Sequence, residues 1–227
     1  MPTVVVVGAS GKIGRRLVRL LAERGDEVRA VVRRPEQADE MAALGGTGVL
    51  LDLERTDVEG MAAVVRGADA VVFTAGAGAG SGPERKRTVD LGGSVLLAEG
   101  AALAGVERFV QVSAAGVDRP VDEDADPSWR AYVEAKAEAD TRLRATDLDW
   151  TILRPGPLTD DPGVGAVTLS AAGDAGEVTR DDVAALVVAC LDEAATIGVQ
   201  WGVAGGGELL DEAVQDAARS QAPPRRH

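Results

Sequence analysis

A β-branched run, Thr3-Val4-Val5-Val6-Val7, leads directly into Gly8-Ala9-Ser10-Gly11-Lys12-Ile13-Gly14. A strand that turns through three glycines into a helix leaves few folds open to the chain. Gly8 permits a tight turn, Gly11 clears space for a ligand to approach backbone, and Gly14 lets helix and sheet pack closely. The helix opened this way offers unpaired N–H groups and a positive dipole end, a ready seat for phosphate. Along it, Ile13, Leu17, Leu20 and Leu21 share one face, as packing on a sheet requires.

The same unit then recurs. Strands are expected near 3–7, 27–32, 47–51, 69–73, 107–112 and 149–154, alternating with helices near 12–25, 36–44, 56–66, 84–104 and 128–146. Continuous Val/Leu/Ile strands in this alternation predict an α/β fold, a Rossmann-type doubly wound parallel sheet with helices on both faces. Past residue 154 the rhythm changes to a Pro/Gly/Asp-rich loop over 155–165 and a short strand at 166–169. A helix follows at 180–194, opening on Thr179 with Asp182 three residues on, a loose capping box. A strand at 199–203 and a helix at 208–218 complete the pattern. The expected organisation is one dinucleotide-binding domain over 1–218, with 155–218 as a small substrate-side extension and 219–227 as a flexible tail.

Charge and rare residues exclude several classes. A formal net charge of −13 repels phosphate backbones and anionic lipid, so neither nucleic acid nor membrane is an expected partner. No apolar run approaches the roughly 20 residues of a membrane span, and no basic leader precedes the first strand, so no signal peptide is expected. The single cysteine, Cys190, lies in the stripe Val183, Leu186, Val187, Cys190, Leu191 and reads as a core residue; with no disulfide available, a cytoplasmic location is expected. The single histidine is the terminal His227, which removes Ser-His-Asp and Cys-His hydrolases and leaves no expected metal site.

The second strand ends in Arg33-Arg34. An NAD site usually has a carboxylate here to accept from the ribose 2′-OH, whereas a guanidinium can bind a 2′-phosphate through paired hydrogen bonds. Lys12 adds a positive charge in the glycine loop. The expected cofactor is therefore NADP(H), with NAD(H) second. Further on, Tyr132 and Lys136 stand four residues apart on a predicted helix and so share a face. Tyr132 is the only tyrosine, and only Lys12, Lys86 and Lys136 are lysines among 24 basic residues.

The G-x-x-G-x-x-G spacing, with Val72-Phe73-Thr74-Ala75-Gly76, Gly105-Val106-Glu107-Arg108-Phe109-Val110, Arg154-Pro155-Gly156-Pro157-Leu158-Thr159 and Thr179-Arg180-Asp181-Asp182-Val183-Ala184, resembles the atypical short-chain dehydrogenase/reductases. Among these it is similar to the small NAD(P)H-binding reductases near the NmrA-like and biliverdin-reductase-B-like families. The resemblance implies cofactor contacts from Gly8, Ser10, Gly11, Lys12, Ile13, Gly14, Arg33, Arg34, Lys136, Pro155 and Gly156. It also implies Asp52-Leu53 at the adenine and Ala75-Gly76 at the adenosine ribose. In such proteins a Tyr hydroxyl exchanges the substrate proton while the Lys lowers its pKa and holds the nicotinamide ribose. A Ser helps polarise the carbonyl; here that position falls on Ser113 or on Ala114.

The activity so implied is NADP(H)-dependent hydride transfer to a small carbonyl, quinone-like or flavin-like acceptor. The alternative is an NmrA-like dinucleotide sensor without turnover. A sugar-nucleotide epimerase or dehydratase would need a larger C-terminal substrate domain. The small-molecule pocket is expected at the carboxyl ends of the strands, walled by 76–83, 114–127 and 156–165, with Trp129 either lining it or packing. Asp118 to Asp126 reads as a solvated flexible loop, and Gly205-Gly206-Gly207 as a turn. Helices 84–104 and 128–146 could pair two subunits as a homodimer or simply cover the sheet; the sequence leaves both open.

Overall fold

The computed structural model describes residues 1–221 apart from 79 and 123. Its centre, among the described residues, is a nine-stranded sheet. The strands from the glycine-loop half are β1 (Thr3–Val7), β2 (Glu27–Val32), β3 (Thr47–Leu50) and β4 (Ala70–Phe73), followed by β5 (Arg108–Val112) and β6 (Asp149–Pro155). All pair in parallel, and the order 3-2-1-4-5-6 is the Rossmann one. The register runs Val7 beside Val31 on one flank and beside Phe73 on the other. Because the chain winds outward in opposite directions from β1 and β4, a crevice opens where their C-terminal ends part.

Alternation along β1 explains the two layers. Val4 and Val6 face α1 (Lys12–Arg24) and α7 (Arg180–Asp192), in a core with Leu17, Leu21, Val183, Leu186 and Cys190. Val5 and Val7 face the other layer, where Met61 and Val65 of α3 (Val58–Val65) meet Leu97 and Ala101 of α5 (Gly92–Ala104) and Leu143 of α6 (Pro127–Arg144). Cys190 is fully buried, and burial pushes its thiol up to about 12, so it is an inert core residue.

Beyond β6 the sheet continues. β10 (Val199–Gly205) pairs in parallel with β6, then β8 (Ala166–Ser170) and β11 (Glu208–Leu209) add antiparallel edges. A separate two-stranded ribbon joins β7 (Leu158–Thr159) to β9 (Val178–Thr179). Residues 158–159, expected within a loop, form β7, and the last helix, expected near 208–218, is preceded by β11 and runs as α8 over Leu210–Gln221. Strands of two residues have no periodicity to read, and they exist only because a neighbour offers a free edge. Gly206 and Gly207 do form a turn, between β10 and β11. Thr179 caps α7 by accepting from Asp182 N, and Asp182 in turn accepts from Val164 and Gly165 N, pinning the loop before β8.

The expected helix over 84–104 is interrupted. A single turn, α4 (Pro83–Arg85), leads into a π-helical segment over Lys86–Leu91 before α5 begins. An i→i+5 turn inserts an extra residue and changes which side chains face inward, and such turns concentrate at functional sites. Of the expected tail, residues 219–221 belong to α8 and 222–227 lie outside the described residues, as do residue 79 of the 76–83 wall and residue 123 of the 114–127 wall. Among the described residues no helix is long and apolar enough to cross a membrane.

Candidate active site

At the parting of β1 and β4 lies a cleft of about 220 Å³. Its floor is the glycine loop, with Gly8, Ser10 and Gly11 exposed to it. Gly8 adopts φ +89°, and a Cβ there would stand 2.5 Å from Ala75 N, so both the turn and the closeness of β4 require glycine. At Gly14 a Cβ would come within 2.3 Å of Gly8 O, which explains that glycine by the packing of loop on helix. Thr74 Oγ1 donates to Val7 O and Gly8 O at 3.2 and 3.3 Å and fastens the two lips. Arg33 supplies one wall, and Asp52 and Leu53 another; Ala75 and Gly76 close the far side.

The remaining residues singled out for the cofactor lie elsewhere. Lys12 points away from the cleft to an ion pair with Asp160, which also holds Arg180 at 3.0 Å and Arg16 at 3.5 Å. Those cations, with a hydrogen bond from Lys12 foremost, hold the Asp160 carboxyl below the usual carboxylate range. Ile13, in the first turn of α1, packs on the core, and Arg34 is the exposed N-cap residue of α2 (Pro35–Ala43). Pro155 is buried and accepts from Ala115 N at 2.9 Å. Gly156 is explained by packing, since a Cβ there would lie 2.2 Å from Gly176 O. Gln37, which the sequence did not mark, shapes the Arg33-Arg34 turn: its Oε1 accepts from both backbone N–H groups at 3.1 Å.

Behind Ala75, outside the residues that line the cleft, lies α6. Lys136 is 5% exposed, and its Nζ finds Val112 O at 3.3 Å, Ala75 O at 3.5 Å and Asp90 Oδ1 at 3.8 Å. None of these is an ordinary charge-assisted bond length. Burial lowers the Lys136 pKa, and Lys86 pushes the same way against the opposing pull of Asp90 and Asp140. One turn earlier, Tyr132 is half-buried, with Trp129 at 5.5 Å between ring centroids and the Lys86 ammonium 5.3 Å from its own centroid. Among the described residues no hydrogen bond reaches its hydroxyl. The expected lowering of the tyrosine pKa is reversed: burial first, then the charges of Asp90 and Asp140, push it up to about 12. Trp129 is 56% exposed, so its indole is a surface platform rather than core.

Ser113 has a different environment from that of a carbonyl-polarising donor. It is buried, and its Oγ donates to Asp140 Oδ2 at 2.8 Å. Asp140, fully buried, also accepts from Gln111 Nε2 at 2.7 Å and Arg154 Nε at 2.8 Å. Gln111 Oε1 accepts from Ser94 Oγ at 2.5 Å, and the Arg154 fork reaches out to Asp118. The Arg154 hydrogen bond holds the Asp118 carboxyl below its usual range. Asp118 therefore anchors the start of the acidic segment, and Asp126 at its end caps α6 by accepting from Ser128 and Trp129 N. The segment expected to be a free solvated loop is held at both ends.

Asp90, Asp140 and Arg154 are polar residues of the site that sequence reasoning did not assign. Asp140 had a usable signal, since 132, 136 and 140 lie at i, i+4 and i+8 on one helix face. Asp90 had none: it is inward only because of the π-helical turn, where its Oδ2 accepts from Ala77 N at 2.9 Å. Among the described residues no group of His, Cys, Asp or Glu is arranged to hold a metal ion.

Residues 8–194 match the family described as NAD(P)H-binding. The chain belongs to the NAD(P)H-binding family. Relatives agree in span. A Bacillus subtilis protein described as an uncharacterized sugar epimerase, YhfK, is 39% identical over 213 residues, covering 93% of this chain and 98% of that one. A structure from Bacillus halodurans, described as a candidate NAD-dependent epimerase/dehydratase, superposes with a TM-score of 0.87 at 34% identity over 95% of this chain and all of that one. The anaerobillin reductase ChuY of Escherichia coli O157:H7 superposes with a TM-score of 0.75 at 27% identity, covering 90% of this chain and 97% of that one. The resemblance read from the glycine loop and later motifs thus holds across the NAD(P)H-binding family's fold.

Proposed function

We propose that this chain is an NADP(H)-dependent oxidoreductase that reduces a small carbonyl, quinone-like or flavin-like acceptor. The observation that carries the reading is the Lys136 ammonium, buried behind the cleft with no oxygen nearer than 3.3 Å. A buried cation whose hydrogen bonds are all long gains from a ligand that brings a closer oxygen, and a ribose diol has the chemistry to do so. Gly8, Ser10 and Gly11 would hold the pyrophosphate at the N-terminus of α1. Arg33, the guanidinium on the cleft wall, would meet a 2′-phosphate, which favours NADP(H) over NAD(H). When bound, the reduced dinucleotide supplies hydride.

The protein's own part is the proton. Burial pushes the Tyr132 pKa up to about 12, so Tyr132 stays protonated at neutral pH, and among the described residues its hydroxyl has no hydrogen-bond partner. Such a group suits reduction, in which the acceptor oxygen takes up a proton. It suits less well a reaction that begins by removing a proton from an alcohol, as oxidation-first epimerisation would. Trp129, exposed beside Tyr132, offers a flat apolar face to a planar acceptor.

The test pairs binding with turnover. Calorimetry should show NADPH binding that Lys136→Ala weakens at least 10-fold. A panel of quinones, flavins, aldehydes and ketones with NADPH should yield turnover that Tyr132→Phe lowers by roughly 10²-fold, as loss of a general acid does, with NADPH affinity nearly unchanged. NADPH binding with no acceptor reduced would refute the oxidoreductase reading. Turnover untouched by Tyr132→Phe would mean that acceptors collect their proton from water.

A further inference from the structure

The oxidoreductase reading leaves one role without a residue. A carbonyl that receives hydride builds negative charge on its oxygen before the proton arrives, and a positioned donor usually meets that charge. Ser113 is the sequence's candidate, but its one proton is donated to Asp140 in a fully buried network. Ala114 has no donor in its side chain. Lys136 is held among Val112 O, Ala75 O and Asp90, inside the protein.

We infer that Lys86 is the electrostatic catalytic residue of this site, meeting the developing oxyanion beside Tyr132. This inference rests on the proposed reduction and adds a residue to it. Its Nζ lies 5.3 Å from the Tyr132 ring centroid, and from that position its charge pushes the Lys136 pKa down. It is carried by the π-helical turn, the segment where the backbone departs from the regular helix the sequence predicts. One of its three N–H groups donates to Gly78 O at 2.9 Å, which tethers the head over the tyrosine and leaves two donors. Arg85 and Arg87, on either side, have other partners: Arg85 pairs with Glu54 at 2.9 Å, and Arg87 lies 3.9 Å from Glu134.

Lys86 transfers nothing in the balanced reaction. The carbonyl carbon gains hydride as one NADPH is oxidised to NADP⁺, the oxygen gains the Tyr132 proton, and solvent returns a proton to Tyr132. The ammonium only stabilises charge on the oxygen between those events, so its loss should appear in the rate and leave cofactor affinity alone. It also selects for acceptors whose oxygen becomes anionic.

The experiment compares wild type, Lys86→Met and Lys86→Arg, using the acceptor that the wild type reduces fastest in the NADPH panel. Lys86→Met should lower kcat/KM about 100-fold, in the range for loss of one oxyanion donor, with the NADPH dissociation constant changed less than 3-fold. Lys86→Arg, which keeps the charge, should recover at least a tenth of the wild-type rate. The urea midpoint of Lys86→Met, which loss of a structural tether to Gly78 would lower, should match the wild type. Lys86→Met within 2-fold of wild type would overturn the inference alone, as would a loss confined to NADPH affinity. A wild type that binds NADPH but reduces no acceptor would overturn the oxidoreductase reading and this inference with it.

Discussion

Replacing Asp140 by Asn keeps the size of the side chain and removes its charge, so the cost is set by the hydrogen bonds that the carboxylate accepts. Asp140 is fully buried on α6 and accepts three, from Gln111, Ser113 and Arg154, at 2.7 to 2.8 Å. An amide offers one acceptor oxygen, and its NH₂ would face donors. At least one donor is stranded, at about 1–3 kcal/mol, and Arg154 loses its buried counter-charge while keeping Asp118. Breaking one side of a buried pair typically destabilises by about 3–5 kcal/mol. Retention of the Asp118 pair and one amide acceptor puts the expectation near the low end, about 3 kcal/mol, or roughly 10 °C in Tm for a chain of this size. Urea unfolding followed by circular dichroism measures it. A double-mutant cycle with Arg154→Met should show that the two losses do not add, because the double variant strands neither charge. The same change removes one of the carboxylates that hold the Tyr132 pKa high, so that pKa should fall. A loss below about 1 kcal/mol, the low end for a stranded donor, or additive losses in the cycle, would refute the reasoning that the charge of Asp140 organises this helix.

Other outcomes are expected at the cleft and the site. Arg33→Asp should reverse the preference for NADPH over NADH in calorimetry, since it sets a carboxylate where the 2′-phosphate would lie; equal affinities in the wild type would contradict the assignment. Gly14→Ala should destabilise the fold, measured as a lower urea midpoint, because its Cβ would stand 2.3 Å from Gly8 O, whereas Gly11→Ala, 3.1 Å from Gly8 O, should cost less stability while weakening NADPH. The reduction rate should show no loss assignable to Tyr132 deprotonation up to about pH 10, because the protonated form persists below a pKa near 12 and is lost only as pH rises through it. An alkaline limb near pH 8 that Tyr132→Phe abolishes would contradict that direction.

Local signals were enough for the fold's centre. The strand Thr3–Val7, the three glycines and the amphipathic helix after them are read from residues adjacent in sequence, and the parallel Rossmann order follows from the alternation of strand and helix. Capping of α7 by Thr179 and burial of Cys190 likewise depend on three- and four-residue spacings. The pair Tyr132 and Lys136 was legible as a helix face, though their surroundings were not.

What tertiary structure decided is where side chains find partners far along the chain. Lys12 is drawn to Asp160, 148 residues away, and so leaves the cleft that its place in the glycine loop suggested. Ser113 gives its proton to Asp140, and Arg154 ties Asp140 to Asp118, because β5, β6 and α6 bring those positions together inside the protein. Asp90 and Lys86 reach the site through a π-helical turn that no helical periodicity announces. The tyrosine's raised pKa follows from burial, from Asp90 on the π-helical segment and from Asp140 on its own helix. Periodicity and turn chemistry are local and can be written in a few residues. Charge pairing and desolvation depend on three-dimensional proximity, which only the folded chain supplies.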